Sequence, residues 1–327
     1  MALNRAYKTV FGSGRMTVGL MTPAGREQGR MAEPERELEL AARADRHGFA
    51  GLWARDVPLM VPQGTSNEAS PVDDPFVWLA TLAAATSSAA LGTAAVVLPL
   101  HNPLHVAKAA LSMNRLTGGR FILGLGSGDR PQEFQAFGED HEQRAEAFRQ
   151  RWALLASALS TDATEREAVR LATGGYDVLP APESRIPMIV VGSARQSLQW
   201  VAANADGWAT YHRDEVRQLG RIGLWRRALE SQGVEIAKPF IHSLHLQLLD
   251  DPHAPPEPIE LGIRGGRDAV AQYLLRLEAT GVNHLLLHLG STSRPALEVI
   301  DELGLEVLPF VHANGPIKIS QSADQPA

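Results

Sequence analysis

The chain has 327 residues, 44% of them hydrophobic and 21% charged, so it can bury a sizeable core and is not a disordered tail. Its 31 Lys and Arg against 37 Asp and Glu leave a net charge of −6, which argues against nucleic acid or an anionic membrane as a partner. With no cysteine, disulfides, zinc–thiolate sites, iron–sulfur clusters and cysteine nucleophiles are all excluded.

Residues 1–15 lack the apolar core of a signal peptide. The most apolar stretch, 91–100, is broken by Gly92, Thr93 and Pro99 and falls far short of a membrane span. A cytoplasmic enzyme is the expectation, with a polar tail over 313–327.

Short apolar runs alternate with longer amphipathic stretches along almost the whole chain. The run 16–21 predicts a strand, and 34–47 a helix that stops at Gly48. Residues 49–54 are the second strand, and a long polar loop leads to Asp73-Asp74-Pro75, a cap followed by proline at the first helical position. Phe76, Leu79, Ala80 and Ala83 share one helical face. Residues 91–100 read as one buried strand, His101-Asn102-Pro103 opens its helix, and Thr117-Gly118-Gly119 closes it. The fourth strand is 120–125, with Phe148, Trp152, Leu155 and Leu159 striping its helix. An excursion over 161–187 breaks the rhythm, and Gly174-Gly175 suggests a hairpin there. Strands at 187–191, 207–211, 240–249 and 283–289 follow, each with a helix, the last opened by Ser293-Arg294-Pro295.

Eight strand–helix units demand parallel pairing and close a barrel, whereas doubly wound sheets usually stop at five to seven strands. The expected fold is α/β, a (β/α)8 TIM barrel over 16–312 behind an N-terminal extension of 1–15. Its loops after strands two, four and seven are enlarged. Chemistry then belongs on the loops that follow strand C-termini.

Gly124-Leu125-Gly126-Ser127-Gly128 ends strand four, and is either a backbone approached closely by a ligand or a tight turn. It does not have the spacing of a dinucleotide fingerprint. Gly192-Ser193-Ala194-Arg195, after strand five, offers free N–H groups, a hydroxyl and a guanidinium to an anion, and Ser193 also suits a helix N-cap. Arg55 and Asp56 close strand two, as an ion pair or as substrate-orienting charges. The 11 histidines form no metal set: Pro103 intervenes between His101 and His105, and His242 and His245 have opposite parity on a strand. None of the four lysines ends a strand, which removes a Schiff-base nucleophile. What remains is a barrel that borrows its reactivity from a cofactor.

The blocks Gly92-Thr93-Ala94-Ala95-Val96-Val97-Leu98-Pro99, His101-Asn102-Pro103 and Leu116-Thr117-Gly118-Gly119-Arg120-Phe121-Ile122-Leu123-Gly124-Leu125-Gly126-Ser127-Gly128 resemble the bacterial luciferase-like monooxygenase family. Val190-Val191-Gly192-Ser193, Ala205-Asp206-Gly207-Trp208 and Gly48-Phe49 before Leu52-Trp53 extend the likeness from about residue 16 to 310. The resemblance implies FMN, or in some branches the deazaflavin F420, bound at the strand C-termini, with the ring against strands one to four. It places a non-prolyl cis peptide at Ala94-Ala95. The implied cofactor contacts are Thr22, Trp53, Ala94, Ala95, Val97, Asn102, Gly126, Ser127, Gly128, Gly192, Ser193 and Arg195, the latter group at the phosphate or ribityl chain. Where luciferase carries a histidine after strand two, this chain reads Asp56-Val57-Pro58, so light emission is not expected.

The implied activity is oxygenation of a small organic substrate by O2 and reduced FMN, supplied by a separate flavin reductase. Asp56, His101 and Arg55 are the catalytic candidates, and Asn102, Asp129, His212 and His288 also reach the mouth. The alternatives are an F420-dependent hydride transfer or a non-catalytic flavin-binding barrel. A homo-oligomer without a metal is expected, since members of the family are usually dimers or larger.

Overall fold

The computed structural model describes residues 2–25, 30–61, 72–234, 238–290 and 293–315. Eight parallel strands carry the fold: Thr17–Thr22, Gly51–Ala54, Ala90–Thr93, Phe121–Gly126, Met188–Val191, Gly207–Tyr211, Phe240–Leu248 and His284–His288. They pair in chain order, and the eighth pairs with both the seventh and the first, which closes the barrel. Near-continuous burial along these strands is what a sheet covered by helices outside and packed within requires.

The barrel interior is filled by one side chain from each strand: Met21, Trp53, Ala90, Ile122, Ile189, Ala209, Ile241 and Leu286. Trp53 is by far the largest of these, and glycines make room for it. A Cβ on Gly92 would sit 2.3 Å from its ring, and one on Gly19 or Gly51 2.9 Å from its Nε1. The larger core lies between the strands and the surrounding helices, where the alternate residues Leu20, Leu52, Leu91, Leu123, Val190, Leu244 and Leu287 point outward.

Several helices begin as the sequence indicates. Asp74 caps Pro75–Ala83 through Phe76 N (2.9 Å), and Asn102 caps Pro103–Leu116 through Leu104 N (2.9 Å), each with proline in the first helical turn. Within the expected N-terminal extension, Arg5–Phe11 is a helix whose Ala6 and Val10 join the interior cluster. Its N-cap, Asn4, reaches Phe121 O (2.7 Å) and Asn114 (2.8 Å), tying it to the N-terminal end of the barrel.

Three expectations are corrected. The run 91–100 is not one strand: it stops at Thr93, passes a cis peptide at Ala94-Ala95, resumes over Val96–Val97 and ends as a 3-10 turn, Leu98–Leu100. The excursion 161–187 holds no hairpin at Gly174-Gly175. Glu167–Thr173 is a helix, and Gly174 at φ 74 is its left-handed cap. Ser193 is not a helix cap, because the helix starts five residues later, at Leu198, capped by Ser197 on Trp200 N (3.2 Å). After strand seven, Glu257–Ile259 and Gly262–Gly265 form a hairpin that the sequence did not show, and its second strand extends strand seven in parallel. Most of the polar loop after strand two, 62–71, and the tail from 316 lie outside the described residues.

Candidate active site

The C-terminal ends of strands two, three and four converge on a pair of ionisable groups. Asp56, two residues past strand two, is 6% exposed, and its Oδ2 accepts from Val97 N (2.9 Å) and from His101 Nε2 (2.7 Å). The break in strand three is what delivers these partners: the chain turns at Ala94-Ala95, points the Val97 amide at Asp56 and brings His101 back over it. A carboxylate only accepts, so the Nε2 of His101 carries the proton. Burial pulls the His101 pKa down, but the hydrogen bond and the charge of Asp56 outweigh it and hold it above the ordinary histidine value.

A second buried acid stands beneath the same rim. Glu133, on helix Pro131–Ala136, is 1% exposed and bonded to Arg130 at 2.9 Å. Burial raises its pKa, Arg130 opposes this, and the negative charges of Asp56 and Asp129 add to it. Glu133 was not singled out from the sequence. Its signal was the i, i+3 pairing with Arg130 at the start of a short helix.

Small residues leave the mouth open. Ala94, Ala95 and Gly126 are half-buried, with the Cβ of Ala95 3.5 Å from where a Cβ on Gly126 would stand. After strand five, Gly192, Ala194 and Arg195 have φ of 69, 46 and 58. For alanine and arginine this left-handed backbone is strained, a feature that clusters at functional turns. Nothing lies within 4 Å of a Cβ built on Gly192, and the Ser193 hydroxyl accepts from Arg195 N (3.2 Å). Ser193 and Arg195 are exposed.

Other expected contacts have structural duties. Gly124 and Gly128 are glycines because protein atoms crowd them: a Cβ would fall 2.0 Å from Thr93 O in the first case and 2.6 Å from Val97 Cγ1 in the second. Ser127 is buried at 8% exposure. Thr22 donates to Trp53 O (2.9 Å) and accepts from Trp78 Nε1 (3.0 Å). Trp53 lies in the interior, and its indole N–H donates to His284 Nε2 (3.0 Å). His284 therefore carries its proton on Nδ1 and donates to Thr17 Oγ1 (2.7 Å), which donates to Val10 O (2.7 Å). Complete burial holds His284 down at about 3, so this chain of bonds is neutral.

Across the mouth, Tyr211 ends strand six. Desolvation raises its phenol pKa, the negative charge of Asp129 adds to this, and Arg55 and Arg130 oppose it. His245 and His288 occupy paired positions on strands seven and eight, with ring centroids 4.8 Å apart. They share the inward parity of Ile241 and Leu286. His242 has the opposite parity, as expected, and is fully buried behind the sheet. His212 turns away from the mouth and bonds to Tyr273 (2.7 Å). Among the described residues no group of three or more His, Cys, Asp or Glu is placed to hold a metal.

The sequence profile of the luciferase-like monooxygenase family matches residues 16–281. A 4-hydroxyprotoasukamycin monooxygenase of Streptomyces nodosus subsp. asukaensis is 38% identical over 105 residues, 32% of this chain and 26% of that protein. An F420-dependent hydroxymycolic acid dehydrogenase of Mycobacterium tuberculosis is 30% identical over 191 residues, 55% of this chain and 50% of that protein. The matches thus span a quarter to a half of the length of these two curated relatives. Among solved structures, the oxygenating constituent of 3,6-diketocamphane monooxygenase from the CAM plasmid of Pseudomonas putida, in complex with FMN, superposes with a TM-score of 0.68. It does so at 14% identity over 90% of this chain and 98% of that one, a likeness of fold.

Proposed function

Because the chain belongs to the luciferase-like monooxygenase family, oxidoreductases on a (β/α)8 barrel, we propose that it is a reduced-FMN-dependent monooxygenase acting on a small organic substrate. The observation that carries this reading is the His101–Asp56 pair standing beside the small residues Ala94 and Ala95 at the barrel mouth.

The residues present fit a phosphorylated flavin. Ala94, Ala95 and Gly126 offer backbone and Cβ atoms to a flat ring, and the open space at Gly192 with the neighbouring Ser193 and Arg195 suits a phosphate. When bound, reduced FMN supplies the two electrons that activate O2. The protein's part is proton handling and exclusion of water. Asp56 fixes the Nε2 proton of His101, and in the charged ring Nδ1 carries a second proton, which is the one available to a reacting oxygen. Val97, Leu100 and Phe134 form an apolar patch that keeps solvent from the buried side of the pair. Electrons would come from a separate flavin reductase.

A second reading, hydride transfer with F420, is favoured by the mycobacterial relative. The two are separated by thermal unfolding of the apoprotein with FMN, anaerobically reduced FMN, or F420. A ligand at about 100 times its Kd stabilises by about 2.7 kcal/mol. A rise in Tm with reduced FMN is expected; a rise with F420 alone would overturn the monooxygenase reading.

A further inference from the structure

Outside the barrel, a cavity of about 440 Å3 opens between residues 212–217, the hairpin that follows strand seven and helix Arg267–Thr280. Its volume is that of a small-molecule site. Pro256, Pro258, Ile259, Ile263 and the ring of Tyr273 make its walls apolar.

Most of its charges are already matched. Arg217 pairs with Asp214 (3.3 Å), Arg276 with Glu215 (3.0 Å), and Glu257 with Arg264 beside the cavity (3.4 Å). Arg276 also covers Tyr273, 5.4 Å from the ring centroid. His212 adds no charge at neutral pH, since burial holds it below the ordinary histidine value, and its Nε2 is bonded to the Tyr273 hydroxyl. Arg213 remains: it is exposed and makes no hydrogen bond or ion pair with another described residue.

We propose that this cavity is a binding site, distinct from the flavin mouth, for a small apolar molecule bearing one negative charge, such as an aromatic carboxylate. The apolar body would lie against the prolines, the isoleucines and Tyr273, with the carboxylate on Arg213. A phosphate ester or dianion would leave a charge unmatched here, and a cation would find every carboxylate in the lining taken.

The test is calorimetric titration of the full chain with 2-naphthoate and with its neutral analogue, 2-naphthamide, in the presence and absence of saturating FMN. One naphthoate per chain is expected, at equal affinity with and without FMN, and naphthamide about threefold to tenfold weaker, the worth of one partly exposed ion pair. Arg213→Met should erase that preference, and Ile259→Glu should weaken naphthoate at least tenfold, in proteins whose Tm is unchanged. Competition by FMN, equal affinity for acid and amide in the wild type, or no binding of naphthoate would overturn the proposal. The FMN-free arm keeps this test independent of the flavin reading.

Discussion

Replacing Asp56 by Asn isolates the pair on which the proposed chemistry depends. The amide oxygen of Asn can still accept from Val97 N or from His101 Nε2, so shape is conserved while the negative charge is lost. What remains for His101 is burial and the charge of Arg151, which disfavour the imidazolium, against the charge of Asp74, which favours it, so its pKa should fall. A hydrogen bond to a charged group contributes about 1.5–3 kcal/mol, and the His101 side chain is 32% exposed, so about 1–2 kcal/mol is expected here. The sign with pH is fixed. A histidine raised in the folded state stabilises below its unfolded value of about 6.5, and that contribution is lost as pH rises through the folded value. Urea unfolding of wild type and Asp56→Asn should therefore differ by about 1–2 kcal/mol at pH 5.5 and by clearly less at pH 9. NMR titration of His101 should show the downward shift. An equal loss of stability at both pH values, or an unchanged His101 titration, would refute the reasoning.

The interior makes two stability predictions. Gly92→Ala drives a Cβ into the Trp53 ring at 2.3 Å and should cost about 1–3 kcal/mol by overpacking, read as a lower Tm. Trp53→Phe leaves His284 Nε2 buried without its donor and should cost about 1–3 kcal/mol beyond the volume change, measured by urea unfolding. His242 is fully buried, both ring nitrogens lack hydrogen-bond partners among the described residues, and burial holds it at about 3. Because the unfolded chain protonates first as pH falls below about 6.5, this residue should remove about 2 kcal/mol of stability between pH 6.5 and 5, a loss that His242→Leu should abolish. Ser193→Asp places an anion where the phosphate is proposed to bind and should eliminate FMN affinity in equilibrium dialysis with circular dichroism unchanged; retained affinity would move the phosphate elsewhere.

The barrel was legible because each unit carries its own punctuation. Asp74-Pro75, Asn102-Pro103 and Gly118-Gly119 mark helix ends by local chemistry, and the apolar runs between them have strand length. The interruption of strand three was not legible from the residues themselves: Ala94 and Ala95 are as compatible with a strand as with a turn. The helix Glu167–Thr173 was misread because one glycine serves a hairpin and a left-handed helix cap equally well. At the site, Asp56 and His101 were chosen for their places after strands two and three, and the fold brings them within 2.7 Å of one another. Glu133 and His245 were missed because their presence at the mouth depends on tertiary return of the chain, whereas Tyr211, the last residue of the strand 207–211, lay within reach of the strand-end rule. Glycine spacing alone did not separate Gly192, which faces open space, from Gly128, which is crowded by Val97 and Phe134.

A crystal structure of the chain soaked with FMN tests the central claim most directly. The ring should lie over Ala94, Ala95 and Gly126, with His101 on its edge and the phosphate at Gly192–Arg195. Density for the flavin away from the strand C-termini, or a mouth that takes up F420 and leaves FMN in solution, would contradict the account.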